Sequence, residues 1–130
     1  MATATIKIQD IKRLTKPALR TFFRIAEEWR LNRAEQMAIL GLTAPATYQN
    51  WKADSDGRLS PDTLERLSYV FGIYKALQIL FPDRHIANSW VKRPNTGLPF
   101  NGHSPLEQMQ QGKVQNLLEV REYLDSHRGI

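Results

Sequence analysis

Cysteine is absent from this 130-residue chain. That excludes disulfides, thiolate zinc sites and a cysteine nucleophile together, and it fits a reducing compartment, so a cytoplasmic location is expected. Also missing is any apolar run near the roughly 18 residues that a membrane span needs. The start MATATIKIQDIKR places threonines and charges where a secretory segment needs an unbroken apolar stretch, and no membrane partner is expected. No phosphate-cradling glycine loop occurs. The histidines His85, His103 and His127 are scattered without metal-ligand spacing and read as surface residues. Gly102-His103-Ser104 begins like a nucleophile elbow, yet Leu106 stands where the closing glycine belongs and no strand precedes it. No catalytic residue, metal or cofactor is expected.

What the chain does have is an uneven charge. Through Lys52 the basic residues are Lys7, Lys12, Arg13, Lys16, Arg20, Arg24, Arg30, Arg33 and Lys52, nine against the four acids Asp10, Glu27, Glu28 and Glu35. From Ala53 onward nine basic residues meet nine acids, so the whole net charge of +5 resides in the first part. One part suits a polyanion and the other a neutral partner.

Hydrophobic spacing makes the rest all-α. Residues 1–11 alternate small, polar and apolar groups without enough bulk to anchor anything and read as a flexible arm. From Lys12 to Leu31 a helix is predicted, with Leu14, Ala18, Phe22, Ile25 and Trp29 on one side and Arg13, Lys16, Arg20 and Arg24 opposite, a phosphate-facing or merely solvated stripe. Asn32 caps a short helix closed by Gly41. Thr43 is expected to cap the next, which ends near Ala53 before the turn cluster Asp54-Ser-Asp-Gly57. Ser60-Pro61 opens a long helix carrying Leu64, Leu67, Val70, Phe71, Tyr74, Leu77 and Leu80, stopped by Pro82. A helix around Arg84 to Val91 follows, then a proline- and glycine-rich loop from Pro94 to Gly102. Ser104-Pro105-Leu106-Glu107 is a capping box, Gly112 ends that helix, and Val114, Leu117, Leu118, Val120 and Leu124 mark a last one over Lys113 to His127.

Residues 32–53 thus form helix, glycine turn, helix, the helix-turn-helix pattern, in which the second helix enters the major groove and the first crosses the backbone. Thr43, Ala44, Ala46, Thr47, Gln49, Asn50 and Lys52 supply small groups for close approach, amides that pair with adenine and a terminal cation, with Arg33 and Gln36 on the first helix completing the candidate DNA-binding set. Tyr48 and Trp51 are the expected anchors; a one-position shift would put Thr47 and Asn50 inside instead.

In the second half, Leu80-Phe81, Ala87, Trp90, Pro94-Asn95, Gly102, Pro105-Leu106, Met109, Gly112, Val120-Arg121, Tyr123-Leu124-Asp125 and Arg128-Gly129 occur in an order and spacing that resemble the toxin-binding domain of the Xre/MbcA/ParS antitoxins. Gly41-Leu42-Thr43 and Leu64-Arg66-Leu67 extend the likeness weakly over most of the chain. The resemblance implies three units: the arm at 1–11, a helix-turn-helix domain at 12–73 and a toxin-binding domain at 74–130. It further implies an antitoxin that binds a cognate toxin, most often a RES-fold enzyme that degrades NAD, and represses its own operon. Its end would lie near the toxin's cleft, so Gly129 and Ile130 are candidate contacts. Leu98 and Phe100, apolar in a loop where polar residues are usual, suit interface anchors, though both could instead tuck beneath the loop. Tyr123, Arg121 and Arg128 join the candidate set, Arg121 being equally readable as a solvated charge, while Trp90 reads as core. Operator symmetry makes a homodimer the natural assembly. The competing reading is a stand-alone helix-turn-helix regulator whose second half only dimerises.

Overall fold

The computed structural model describes residues 8–53 and 58–128, with side chains from Thr15 onward. These residues form α1 (Ile8–Glu28), α2 (Arg33–Leu40), α3 (Pro45–Lys52), α4 (Pro61–Leu80), α5 (Arg84–Ser89), a 3₁₀ turn (Trp90–Lys92), α6 (Pro105–Met109) and α7 (Val114–His127). No strand occurs among them, so the all-α expectation holds. Helix α1 begins earlier than the spacing suggested and takes in residues 8–11 of the expected arm. The remainder of that arm, the turn cluster at 54–57 and the pair Gly129-Ile130 lie outside the described residues.

Local chemistry sets most boundaries. Asn32 and Glu35 close a reciprocal capping box on α2, each backbone N–H donating to the other's side chain at 2.8 Å. Ser60 accepts from the Thr63 N–H to start α4, with Pro61 in the first turn. Ser104 and Glu107 repeat the box on α6. The buried face of α1 comprises Thr15, Leu19, Phe22, Ile25, Ala26 and Trp29, with the expected Ala18 only half-buried at its edge. Among the expected basic stripe, Arg20 and Arg24 are exposed and Lys16 is half-buried.

The interior is continuous. Leu19 through Trp29 on α1, Ile39 and Leu40 on α2, Leu67 through Leu77 on α4, and Phe100, Met109, Leu117, Val120 and Leu124 beyond it belong to one cluster. The expected division near residue 73 falls inside α4, which packs on α1 and α2 with one part of its surface and on α7 with another. Where α4 crosses α7, Gly72 admits the Arg121 side chain: a Cβ there would stand 2.7 Å from its Nε.

One buried side chain joins the two halves. Arg66 of α4 donates from Nη1 to the Ile39 carbonyl (3.2 Å), from Nη2 to the Gly112 carbonyl (2.8 Å) and from Nε to Asp62 (2.8 Å). Its guanidinium lies against Gly41, which is left-handed at φ 74°, and a Cβ on that glycine would approach the Arg66 Cζ to 2.7 Å. Gly41 is therefore constrained twice, by conformation and by space. Removing the guanidinium in Arg66→Ala should destabilise the fold by about 2–4 kcal/mol, since two interior carbonyls lose their donor. Gly41→Ala should cost about 1–2 kcal/mol for the left-handed backbone alone and more from the collision. In urea titrations the Gly41→Ala penalty must shrink when Arg66 is already alanine; strict additivity of the two would contradict the collision.

Candidate functional site

Helix α2 ends at Gly41, whose N–H donates to Ala38 while that of Leu42 donates to Met37, and the chain turns into α3. Tyr48 is buried and meets Phe23 of α1 edge-on at 5.9 Å, and Trp51 packs against the core. These are the anchors the spacing suggested, and Asn50 is exposed, so the shifted register does not apply; Thr47 is half-buried.

Two assignments change. Gln36 is interior: its Nε2 donates to the Leu31 carbonyl and its Oε1 accepts from the Tyr48 hydroxyl, both at 2.9 Å. Buried and held at both ends, this amide presents no edge to a base. Thr43 does not cap α3. The cap position belongs to Ala44, which offers no side-chain bond, with Pro45 following. The start of α3, Ala44 to Ala46, is thus exposed and lacks a side-chain acceptor; Pro45 has no N–H and that of Thr47 turns back to the Ala44 carbonyl (3.1 Å), so what faces solvent is chiefly the positive end of the helix dipole.

At helical spacing Ala46, Gln49 and Asn50 share one exposed face of α3, with exposed Ala44 at its start. Lys52 is exposed but lies on the flank, its ammonium 5.7 Å from the Tyr48 ring centre. Arg33 is exposed in the first turn of α2, and Thr43 is exposed in the turn.

The second surface forms around the loop from Pro94 to His103. Its neck is closed by Asn95 N–H donating to the His103 carbonyl (3.0 Å) and Gly102 N–H donating to the Asn95 carbonyl (2.7 Å). The Asn95 side chain accepts from Gly97 N–H and donates to the Tyr123 hydroxyl (3.2 Å). Of the two readings open for Phe100, exposed anchor or tucked beneath the loop, the second holds: it points inward and is 1% exposed. It meets Tyr123 edge-on at 5.0 Å and Trp90 at 6.0 Å, while Tyr123 stacks on Trp90 and touches His127. Burying that ring lifts Leu98 to the tip, 76% exposed. Loop residues with the same chemistry thus take opposite fates.

On α7, Asp125 gathers both candidate arginines: Oδ2 lies 3.7 Å from Arg121 Nε and Oδ1 lies 3.6 Å from Arg128 Nη1. Asp125 belongs to the resemblance but not to the candidate contact set, although its spacing to Arg121 is that of a helical ion pair. Arg121 also lies over the Tyr69 ring at 5.9 Å. The hydrogen bond from Tyr69 to Glu65, with burial and the carboxylate's charge, pushes the phenol up from its ordinary pKa against the opposing pull of Arg121. A cleft of about 630 Å³ separates the end of α1 from α5, with Arg84 beside Glu28 at 3.3 Å. Hydrogen bonding to the Tyr74 hydroxyl, then Coulombic attraction to Tyr74 and Glu28, raises the Arg84 pKa. Among the described residues no group of acids and histidines is placed to hold a metal. None of the described helices is long and apolar enough to cross a membrane.

The architecture defines a helix-turn-helix protein fused through one long helix to a second, helical half. Residues 14–72 match the model of the antitoxin Xre-like helix-turn-helix domain, and residues 76–129 that of the antitoxin Xre/MbcA/ParS C-terminal toxin-binding domain. The uncharacterized protein y4oB of Sinorhizobium fredii (strain NBRC 101917 / NGR234) is 45% identical over 111 residues, covering 85% of this chain and 84% of that one. The chain belongs to the Xre/MbcA/ParS-type antitoxins of toxin–antitoxin systems, and the partner of its second half is a cognate toxin. Neither domain belongs to an enzymatic family.

The inward placement of two candidate residues sets their mutational signature. Phe100→Ala should lower the unfolding free energy by about 3–5 kcal/mol, and Gln36→Ala by about 1–3 kcal/mol by stranding the Tyr48 hydroxyl and the Leu31 carbonyl. Leu98→Ala should stay within about 0.5 kcal/mol of the parent. Urea denaturation of the three variants checks the set, and a Phe100→Ala chain as stable as Leu98→Ala would refute the loop geometry.

Proposed function

We propose that this antitoxin neutralises its toxin by occluding it with the surface around Leu98 and α7, and represses its own operon as a cytoplasmic homodimer through α2 and α3. The observation that carries the DNA reading is the exposed face of Ala46, Gln49 and Asn50 beside a helix start with no side-chain cap. Small residues allow close approach, the amides suit adenine, and the positive end of the helix dipole suits a phosphate. Arg33, Thr43, Thr47 and Lys52 flank this face as backbone contacts, and the surplus positive charge of the first 52 residues supplies the attraction to a polyanion.

On the partner side Leu98 is the apolar prong, held out by the aromatic packing beneath it. Arg121 and Arg128, paired with Asp125, offer oriented donors on α7, with half-buried Tyr123 between them and the loop. Gly129 and Ile130, which follow α7 in the sequence, are proposed toxin contacts on the strength of the resemblance. A RES-type enzyme is the proposed toxin on the strength of the resemblance, and the absence of cysteine accords with a reducing cytoplasm.

Binding to the promoter upstream, measured at fixed salt, should weaken by about 1–3 kcal/mol in Gln49→Ala or Asn50→Ala if that side chain reads a base. Unchanged affinity in both removes the groove reading. In cells making the adjacently encoded toxin, the full chain should rescue growth and Leu98→Glu should not, while keeping its thermal stability and promoter affinity. Rescue by Leu98→Glu equal to the parent would take the loop out of the interface.

A further inference from the structure

The outward side of α4 carries a stripe that the fold leaves uncovered. At three- and four-residue spacing, Leu64, Ser68, Phe71, Lys75 and Ile79 share one face. Ser68, Lys75 and Ile79 are exposed, Ile79 at 53%, while Leu64 and Phe71 are half-buried. Beside the first part of this stripe α1 and α4 enclose a groove of about 420 Å³, lined by Pro17, Ala18 and Thr21 on one side and Leu64, Leu67, Ser68 and Phe71 on the other. Among the described residues no ionisable group lines it. A polyanion has nothing to grip there, and the groove lies wholly within the region matched by the helix-turn-helix model, outside the toxin-binding one.

We infer that this face pairs with the same face of a second copy, α4 running antiparallel to its mate about a two-fold axis between Phe71 and Gly72. The inference rests on the homodimer proposed above and names its surface. Its support is the register. Leu64 and Ile79 are equidistant from that midpoint, as are Ser68 and Lys75. Pairing about it sets the protruding Ile79 of each copy opposite the groove beside Leu64 of the other, and sets each Lys75 opposite a serine instead of another lysine. A two-fold contact joins a patch to itself, so it tolerates no unbalanced like charge at its centre. The stripe meets that condition with a knob at one end and a hollow at the other.

The full chain should be a dimer by sedimentation equilibrium. Ile79→Glu, a change at an exposed position, should weaken self-association at least about 100-fold, because each dimer loses two buried Ile side chains, without altering circular dichroism or thermal stability. The chain lacks cysteine, so a mixture of Ser68→Cys and Lys75→Cys proteins should form an intermolecular disulfide. Each variant alone should not, since identical positions lie about 10 Å apart along the pair at 1.5 Å per residue, beyond disulfide reach. A parent that is monomeric at every concentration overturns both this surface and the homodimer reading. A dimer that Ile79→Glu leaves intact, with no cross-link in the mixture, overturns the surface and spares the homodimer. Should Ile79→Glu stay dimeric but lose co-purification with the adjacently encoded toxin, the stripe belongs to the toxin and the inference fails.

Discussion

Arg66 is a charge placed where charges are expensive, and the two halves of the molecule are organised around it. Burying a guanidinium is tolerable only when its donors are all engaged. Here they meet the end of α2, the turn before α7 and Asp62, in the directions that a planar fork provides. A lysine has one donor centre and could not hold two carbonyls from opposite sides while reaching a carboxylate. The residue that supports Gly41, from which the chain turns into α3, also holds Gly112, from which it turns into α7. The glycine turn of the first half and the helix carrying Arg121 and Arg128 in the second are therefore referenced to one side chain, and one core continues across α4 between them.

Much of this was readable from the chain because it is decided locally. Asn32 with Glu35, Ser60 with Pro61, and Ser104 with Glu107 announce helix starts by chemistry that acts over three residues. Gly41 ends α2 for an equally local reason. What could not be read depends on partners far along the chain. Gln36 looks like a surface amide until Tyr48 is folded back over it, and Phe100 looks like an exposed anchor until Tyr123 and Trp90 are placed beneath the loop. Thr43 is a better cap by type than Ala44, yet α3 starts one residue later, as its anchoring by Tyr48 and Trp51 requires. For Arg66, nothing in a single helix reveals two carbonyls waiting to accept from it.

The same comparison explains why the candidate surfaces differ in character. On α3 the exposed groups are small or amide-bearing and the helix start is left without a side-chain cap. A capping side chain would stabilise an isolated helix by about 1 kcal/mol, but it would stand at the positive end of the helix that, on the proposed reading, faces a phosphate. The loop at Leu98 follows the opposite strategy. Four interlocked rings and the Asn95 bonds fix its neck, so the apolar tip is held out at little further cost in conformational entropy when a partner arrives. An exposed leucine on a loose loop would forfeit part of its contact energy to ordering.

Charge distribution then orients the whole. The surplus positive charge lies entirely in the first 52 residues, and the remainder is balanced. On the proposed reading, a polyanion draws the molecule in by its helix-turn-helix side, and the neutral half, joined through α4, adds no long-range attraction of its own. Leu98 and α7 therefore need not compete with DNA for the same cations, and toxin and operator can be held by separate parts of one body. If the core shared by both halves holds in the complex, a toxin seated on the second half would be carried in a fixed place relative to α3. Any influence of toxin on promoter binding would then arise by contact or collision between neighbouring complexes, instead of by a change of shape passed through the core.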